Sequence, residues 1–224
     1  MAVIEGGTSA VVSEVGAVAA KGLHVILKPT DYGALGHYSV GLLTGILPAA
    51  LGANSEIVQF RWADATRIAL IHKITLSACV STTFFAAGVP VQIELYKATA
   101  WTVAGTLGVA PTMAALGKRR TSMGSSLVAA GDIRVSANVA LGAGTKTLEA
   151  NTLACLAAPG PITASLNGQI IAPGTVFFDA ATQTGGHPFA LVQNEGLVIR
   201  VPAVPATGTW TAGVYIEWSE VTAF

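Results

Sequence analysis

Four histidines, His24, His37, His72 and His187, have the widest chemical repertoire in this chain. A metal-dependent double-stranded β-helix would need His-x-His, then Glu, then a further His, so that three ligands converge on one ion. No two of the four stand at that spacing, so they are expected to be hydrogen-bonded or surface imidazoles. His37 in GHYSV and His187 in GGHPF are the pair that could still meet in space. A serine nucleophile fares no better. SMGSS, at 122–126, lacks the G-x-S-x-G elbow and its strand–turn–helix setting. LGAGTKT, at 141–147, lacks the Gly-to-Gly-Lys spacing of a phosphate loop.

The carboxylates are dispersed. Asp31, Asp64, Asp132 and Asp179 stand in turn-like stretches, where Asp side chains bond their own backbone. Glu217 and Glu220 leave the last strand-like run with opposite parity. Twelve acidic residues over many strands bring some pair within glycosidase distance by chance, which carries no weight. Cys79 and Cys155 have no CxxC partner and no histidine at ligand spacing. Cys79, in TLSACVS, is expected to be a small buried hydrophobe, and no disulfide is expected. No catalytic, cofactor-binding or metal-ligating set is therefore assigned, and no cofactor is expected.

Composition narrows the function classes further. Charged residues make up 11% of the 224, against roughly 25% in an average soluble domain. Twelve basic and twelve acidic residues cancel to a formal net charge of zero. Such a chain has little electrostatic protection against association, so much of its surface is expected to be covered by copies of itself or by other proteins. A membrane span is not expected, because VGLLTGILPAALGAN, the most apolar region, is broken by Gly45, Pro48 and Gly52. The N-terminus carries Glu5 and Glu14 and no basic n-region, which argues against a secretory signal. Nucleic-acid binding needs a basic patch, and the one basic cluster, Lys118-Arg119-Arg120, reads as a solvated loop.

The elements that must position these residues are strands. SEIVQFRW alternates Val58, Phe60 and Trp62 with Ile57, Gln59 and Arg61. RIALIHKITLSACV sets Ile68, Leu70, His72, Ile74 and Leu76 against Arg67, Ala69, Ile71, Lys73 and Thr75. VQIELYKA sets Val91, Ile93 and Leu95 against Gln92, Glu94 and Tyr96. The closing GTWTAGVYIEWSEV puts Trp210, Ala212, Val214, Ile216 and Trp218 on one side without a polar gap, which reads as core and not as a ligand platform. These are half-buried antiparallel strands with the apolar face inward. LHVILKP, GHYSVGLLTG, DIRVSANVAL, TKTLEANTLACLA, GTVFFDA, PFALVQ and GLVIRVPAV add to a set of ten to twelve. Asn167-Gly168 in ITASLNGQIIAP predicts a two-residue hairpin, and QNEG a further turn. Residues 104–130 read as a long excursion with one short helix near TMAALGKRR.

The expected architecture is an antiparallel β-sandwich, jelly-roll-like, as one domain over 22–224, preceded by an extended N-terminal arm over 1–21. Holding twenty arm residues in place costs on the order of 20–40 kcal/mol of backbone entropy. Offsetting much of that takes on the order of 1,000 Å² of buried apolar surface. The arm therefore needs a surface to pack on, and Val3, Ile4, Val11, Val12 and Val15 are its candidate assembly contacts.

Two segments, HYSVGLLTGILPAALGANSEIVQFRWADATRIALIHKITL and LVQNEGLVIRVPAVPATGTWTAGVYIEWSEV, resemble structural proteins encoded among the head and tail genes of tailed bacteriophages. They cover about a third of the chain and name no functional residues. The resemblance implies a non-enzymatic virion protein that cements or decorates a capsid, commonly as a trimer. It would be made in the host cytoplasm and partnered by itself and the major capsid protein, not by nucleic acid or membrane. A tail, baseplate or fibre component and a carbohydrate-binding or hydrolytic sandwich are the alternatives.

Overall fold

The computed structural model describes residues 36–48, 51–86, 90–112, 117–119, 121–160, 162, 168–182, 187–202 and 206–223. The arm residues Val3, Ile4, Val11, Val12 and Val15, together with LHVILKP, His24 and Asp31, lie outside them, as does most of the TMAALGKRR stretch. Among the described residues the regular secondary structure is strand, apart from one 3-10 turn at Ala180–Thr182.

Two antiparallel sheets carry the fold. Sheet A orders β10 (Gln169–Asp179), β4 (Ile68–Val80), β13 (Thr209–Val221), β1 (His37–Leu43) and β6 (Gly117–Lys118). In it β11 (Phe189–Leu191) also pairs β4, and β2 (Leu47–Pro48) pairs β13. Sheet B orders β7 (Ile133–Val135), β3 (Ser55–Trp62), β12 (Glu195–Val201), β5 (Pro90–Val103) and β8 (Thr145–Leu148), with β9 (Ala154–Pro159) also on β5. The early strands pair with the late ones in reverse order: β1 with β13, β3 with β12, β4 with β10 and β5 with β9.

The inner faces pack into one apolar core. Trp210, Ala212, Val214, Ile216 and Trp218 are all buried, as their alternation predicts. Trp218 lies edge-on to Phe60 at 5.2 Å, joining the two sheets across the core, and tilts against Tyr38 at 5.8 Å. Its indole N–H donates to Glu220 at 3.2 Å, so the ring's one polar atom is satisfied. Val91, Ile93 and Leu95 also face inward. QNEG forms its turn, with Asn194 in the left-handed region at φ 64°. Gly168 is also left-handed, but β10, which follows it, pairs β4; the upstream run of the expected hairpin is mostly outside the described residues.

Bulges correct two parities. Glu217 pairs Lys73 and Trp218 pairs Ile71, leaving His72 as an extra residue in β4. An extra residue shifts every side chain beyond it to the other face. Ile74 and Leu76 thus face the core as expected, but so do Ala69 and Ile71, which the uninterrupted alternation puts outside. A second register shift, between Ile199 and Arg200, leaves Ile57 unpaired, and Ile57 joins Val58, Phe60 and Trp62 in the core.

Sheet B is covered on its outer face too. The excursion after β5 folds back over it, pairing Val109 with Val135 and Thr106 with Gly142. Gln59, expected at a half-exposed position, is 1% exposed and donates to the Gly142 carbonyl at 3.0 Å. Lys146 of LGAGTKT sits 4.6 Å from the Trp101 ring centre and pairs Glu56 at 2.8 Å. That segment is a strap across the sheet, with Ala98, Trp101 and Val198 in a small apolar layer beneath it.

Cys79 contradicts expectation: it is exposed on the outer side of β4, touching the Thr211 hydroxyl at 3.3 Å, because its parity is opposite to that of buried Ala78. Both cysteines are free. Asp64 caps its own turn, accepting from the Thr66 and Arg67 amides at 2.7 and 2.8 Å. Asp132 instead pairs Arg61 at 3.0 Å in a buried position. Replacing Trp218 by alanine is expected to cost about 3–5 kcal/mol, since it opens a cavity where the sheets meet. Chemical denaturation of Trp218→Ala checks this; an unchanged midpoint contradicts the core assignment.

Candidate functional site

The outer face of sheet A is where side chains of chemical interest converge. Along β13 the outward residues are Thr211, Gly213, Tyr215, Glu217 and Ser219, alternating with the buried stripe. The flanking strands add Ser39, Gly41 and Leu43 from β1 and Lys73, Thr75, Ser77 and Cys79 from β4.

One end of this face is ionic. Register places His37 opposite Ser219 and Ser39 opposite Glu217. The bulge turns His72 to the same side, so its ring meets that of His37 at 5.4 Å between centres. Glu217 is the hub. It receives His37 Nε2 at 2.8 Å and Arg119 Nη2 at 2.6 Å, and Tyr215 donates to its other oxygen at 3.3 Å. Arg119 also reaches the Tyr215 hydroxyl at 3.2 Å. It gets there because the Arg119 amide donates to the His37 carbonyl at 3.0 Å, just beyond the β6–β1 pairing. Lys73 and Asp179 form a further pair at 3.2 Å beside it.

Burial decides the protonation of the two rings. His72 is pushed down to about 4, chiefly by desolvation and then by the His37 charge, with Glu217 opposing. His37 is lowered too, by burial first and by Arg119, against the pull of Glu217. At neutral pH both are therefore uncharged imidazoles, and Glu217 is neutralised by Arg119.

His72 Nε2 lies 2.8 Å from Ser219 Oγ, the spacing of a serine–base pair. Ser219 is fully buried, so no substrate carbonyl reaches its hydroxyl; the contact locks the bulge in place. Among the described residues no three His, Cys, Asp or Glu side chains form a metal-holding group.

The other half of the face has no charges. A shallow open hollow of about 300 Å³ is lined by Gly41, Leu43, Thr75, Ser77, Gly213 and Tyr215, among others. Leu43 is 71% exposed at its rim. On the opposite side of the same strand, Glu220 turns inward, as its parity predicts, and is buried. It accepts from Trp218 Nε1 and from the Leu127 amide at 3.1 Å, and Ser126 of the SMGSS stretch donates to it. Burial raises its pKa, and the carboxylate pins the excursion to the end of the sandwich.

Of the residues weighed in the sequence, His37, His72, Arg119 and Glu217 meet. Sequence reasoning missed this cluster. Alternation sends His72 inward, and Arg119 reads as a loop cation. Only Glu217's outward parity was visible in advance. No protein-family model matches the chain, and searches of curated proteins and of solved structures find no match.

Because the folded pKa of His72 lies below its unfolded value near 6.5, its neutral form stabilises the fold most above pH 6.5. That contribution falls as pH drops from 6.5 towards 4. Melting temperature is expected to decline over that window in the wild type and more shallowly in His72→Gln. Parallel slopes in the two proteins contradict the assignment.

Proposed function

We propose that this chain is a non-enzymatic structural protein of a tailed-bacteriophage virion, a capsid cement or decoration protein that bridges capsomers through apolar contacts and arm exchange. The observation that carries the reading is the strand pairing. The pairing of β1, β3, β4 and β5 with β13, β12, β10 and β9 across two antiparallel sheets supports the jelly-roll reading. Viral capsid subunits and lectins use that architecture. The resemblance in the β1–β4 and β11–β13 segments favours the virion.

Composition and surface support it. A chain with zero formal net charge and 11% charged residues gains little from staying free in solution. Sheet B is covered by the chain's own excursion, whereas half of sheet A's outer face is small, uncharged and open. The mechanism is buried area: permanent assemblies bury about 2,000 Å² or more per contact, and each bridge adds resistance to separation of the capsomers beneath it. The arm residues Val3, Ile4, Val11, Val12 and Val15 supply the exchanged segment in this reading.

Light scattering across a dilution series tests it. A trimer stable to micromolar concentration is expected. Deleting residues 1–20 should leave the β circular-dichroism spectrum intact while abolishing the trimer. A monomeric full-length protein overturns the assembly reading and favours a carbohydrate-binding sandwich; a trimer lengthening along one axis in electron micrographs favours a fibre.

A further inference from the structure

We infer that the outer face of sheet A, centred on Gly41, docks against a second copy of this chain; the inference rests on the assembly reading and adds to it a two-fold contact, distinct from the threefold contact of the trimer.

The argument starts from glycine. A glycine inside a strand weakens it, and such a residue usually marks a bulge, a tight bend or a close approach by something else. Five described strand residues are glycine, and the chain itself accounts for four of them. Gly174 has φ +74°, which disfavours a side chain. A Cβ on Gly196 would strike the Phe60 carbonyl at 2.3 Å and the Trp101 ring at 2.7 Å. On Gly117 and Gly213 it would crowd the Ser39 and Ser77 hydroxyls at 2.7 and 2.6 Å. Gly41 has no such reason. Its φ is ordinary, and a Cβ there would meet nothing within 4 Å. Among the described residues the space above it is open, which leaves room for another molecule.

The surroundings say what it is. Gly41 and Gly213 form the floor of the 300 Å³ hollow, and none of the hollow's lining residues is charged. Leu43, one pleat along the same face, is 71% exposed, and Val176 on β10 is 48% exposed. A hole beside a projecting leucine is self-complementary. When two copies pack face to face, Leu43 of each can enter the hollow of the other, as isologous contacts require. The area is sufficient. The four strands β1, β13, β4 and β10, of 7, 13, 13 and 11 residues, at about 3.4 Å per residue and about 4.8 Å apart, span on the order of 700 Å². That is close to one partner's share of a standard interface, about 800 Å². Zero formal net charge lets two copies approach without net repulsion, and the Glu217–Arg119 and Lys73–Asp179 pairs are already neutralised at one end of the face. A partner of high charge would find nothing to pair with in the hollow. A copy of the same neutral chain fits it.

The experiment is light scattering on the full chain, the Gly41→Arg variant and the Leu43→Asp variant, with melting curves for all three. Arginine at 41 enters open space and aspartate at 43 replaces an exposed side chain, so both variants should melt with the wild type. The expected result is a wild-type trimer that pairs further as concentration rises, with that pairing at least tenfold weaker in both variants. Trimers that do not pair in the wild type, or that pair equally well in both variants, overturn the docking face while leaving the assembly reading intact. A monomeric wild type overturns both.

Discussion

The structure depends on how β13 is held. It lies between β1 and β4, pairs with β4 over nearly its whole length and with β1 from Gly213 to Ser219, and sends alternate side chains into the space between the sheets. Trp218 reaches Phe60 of the opposite sheet, and Trp210, fully buried, closes the other end of the stripe. A strand with neighbours on both sides has its backbone hydrogen bonds satisfied, so its side chains alone decide which face looks where. The core follows from one parity of β13, and the chemistry of the outer surface from the other.

The two sheets treat their outer faces differently. Sheet B hides its outer face under the strap at 141–144, which leads into β8, and under the excursion after β5. This is why Gln59, Glu56 and Lys146 form a buried network of polar groups there. Burying an ion pair is costly unless the remaining polar atoms find partners, and Gln59 and the strap carbonyls supply them. Sheet A leaves part of its outer face as glycine, serine and threonine. Small, uncharged residues cost little to desolvate, which suits a surface that another molecule covers.

The ionic end of sheet A shows how a single inserted residue creates local chemistry. Without the bulge, His72 would face the core and Ser219 would lack its imidazole partner. With it, two histidines, an arginine and a tyrosine gather around Glu217. Burial lowers the pKa of both rings, and their contacts with Ser219 and Glu217 clasp β1, β4 and β13 together.

The sequence by itself determined the all-β class with two antiparallel sheets, the closing strand's inward tryptophans, the turn at QNEG and the opposite parities of Glu217 and Glu220. Each depends on alternation or turn chemistry within a few residues, and such signals are local. Tertiary structure alone decided the bulges at His72 and Ile57, the exposure of Cys79, the strap that buries Gln59, and the meeting of His37, His72, Arg119 and Glu217. A bulge is set by the competing registers of two strands, and neither strand's own pattern records it. His72 and Ser219 stand 147 residues apart. No short-range spacing can report a contact that exists only once β13 has paired with β4.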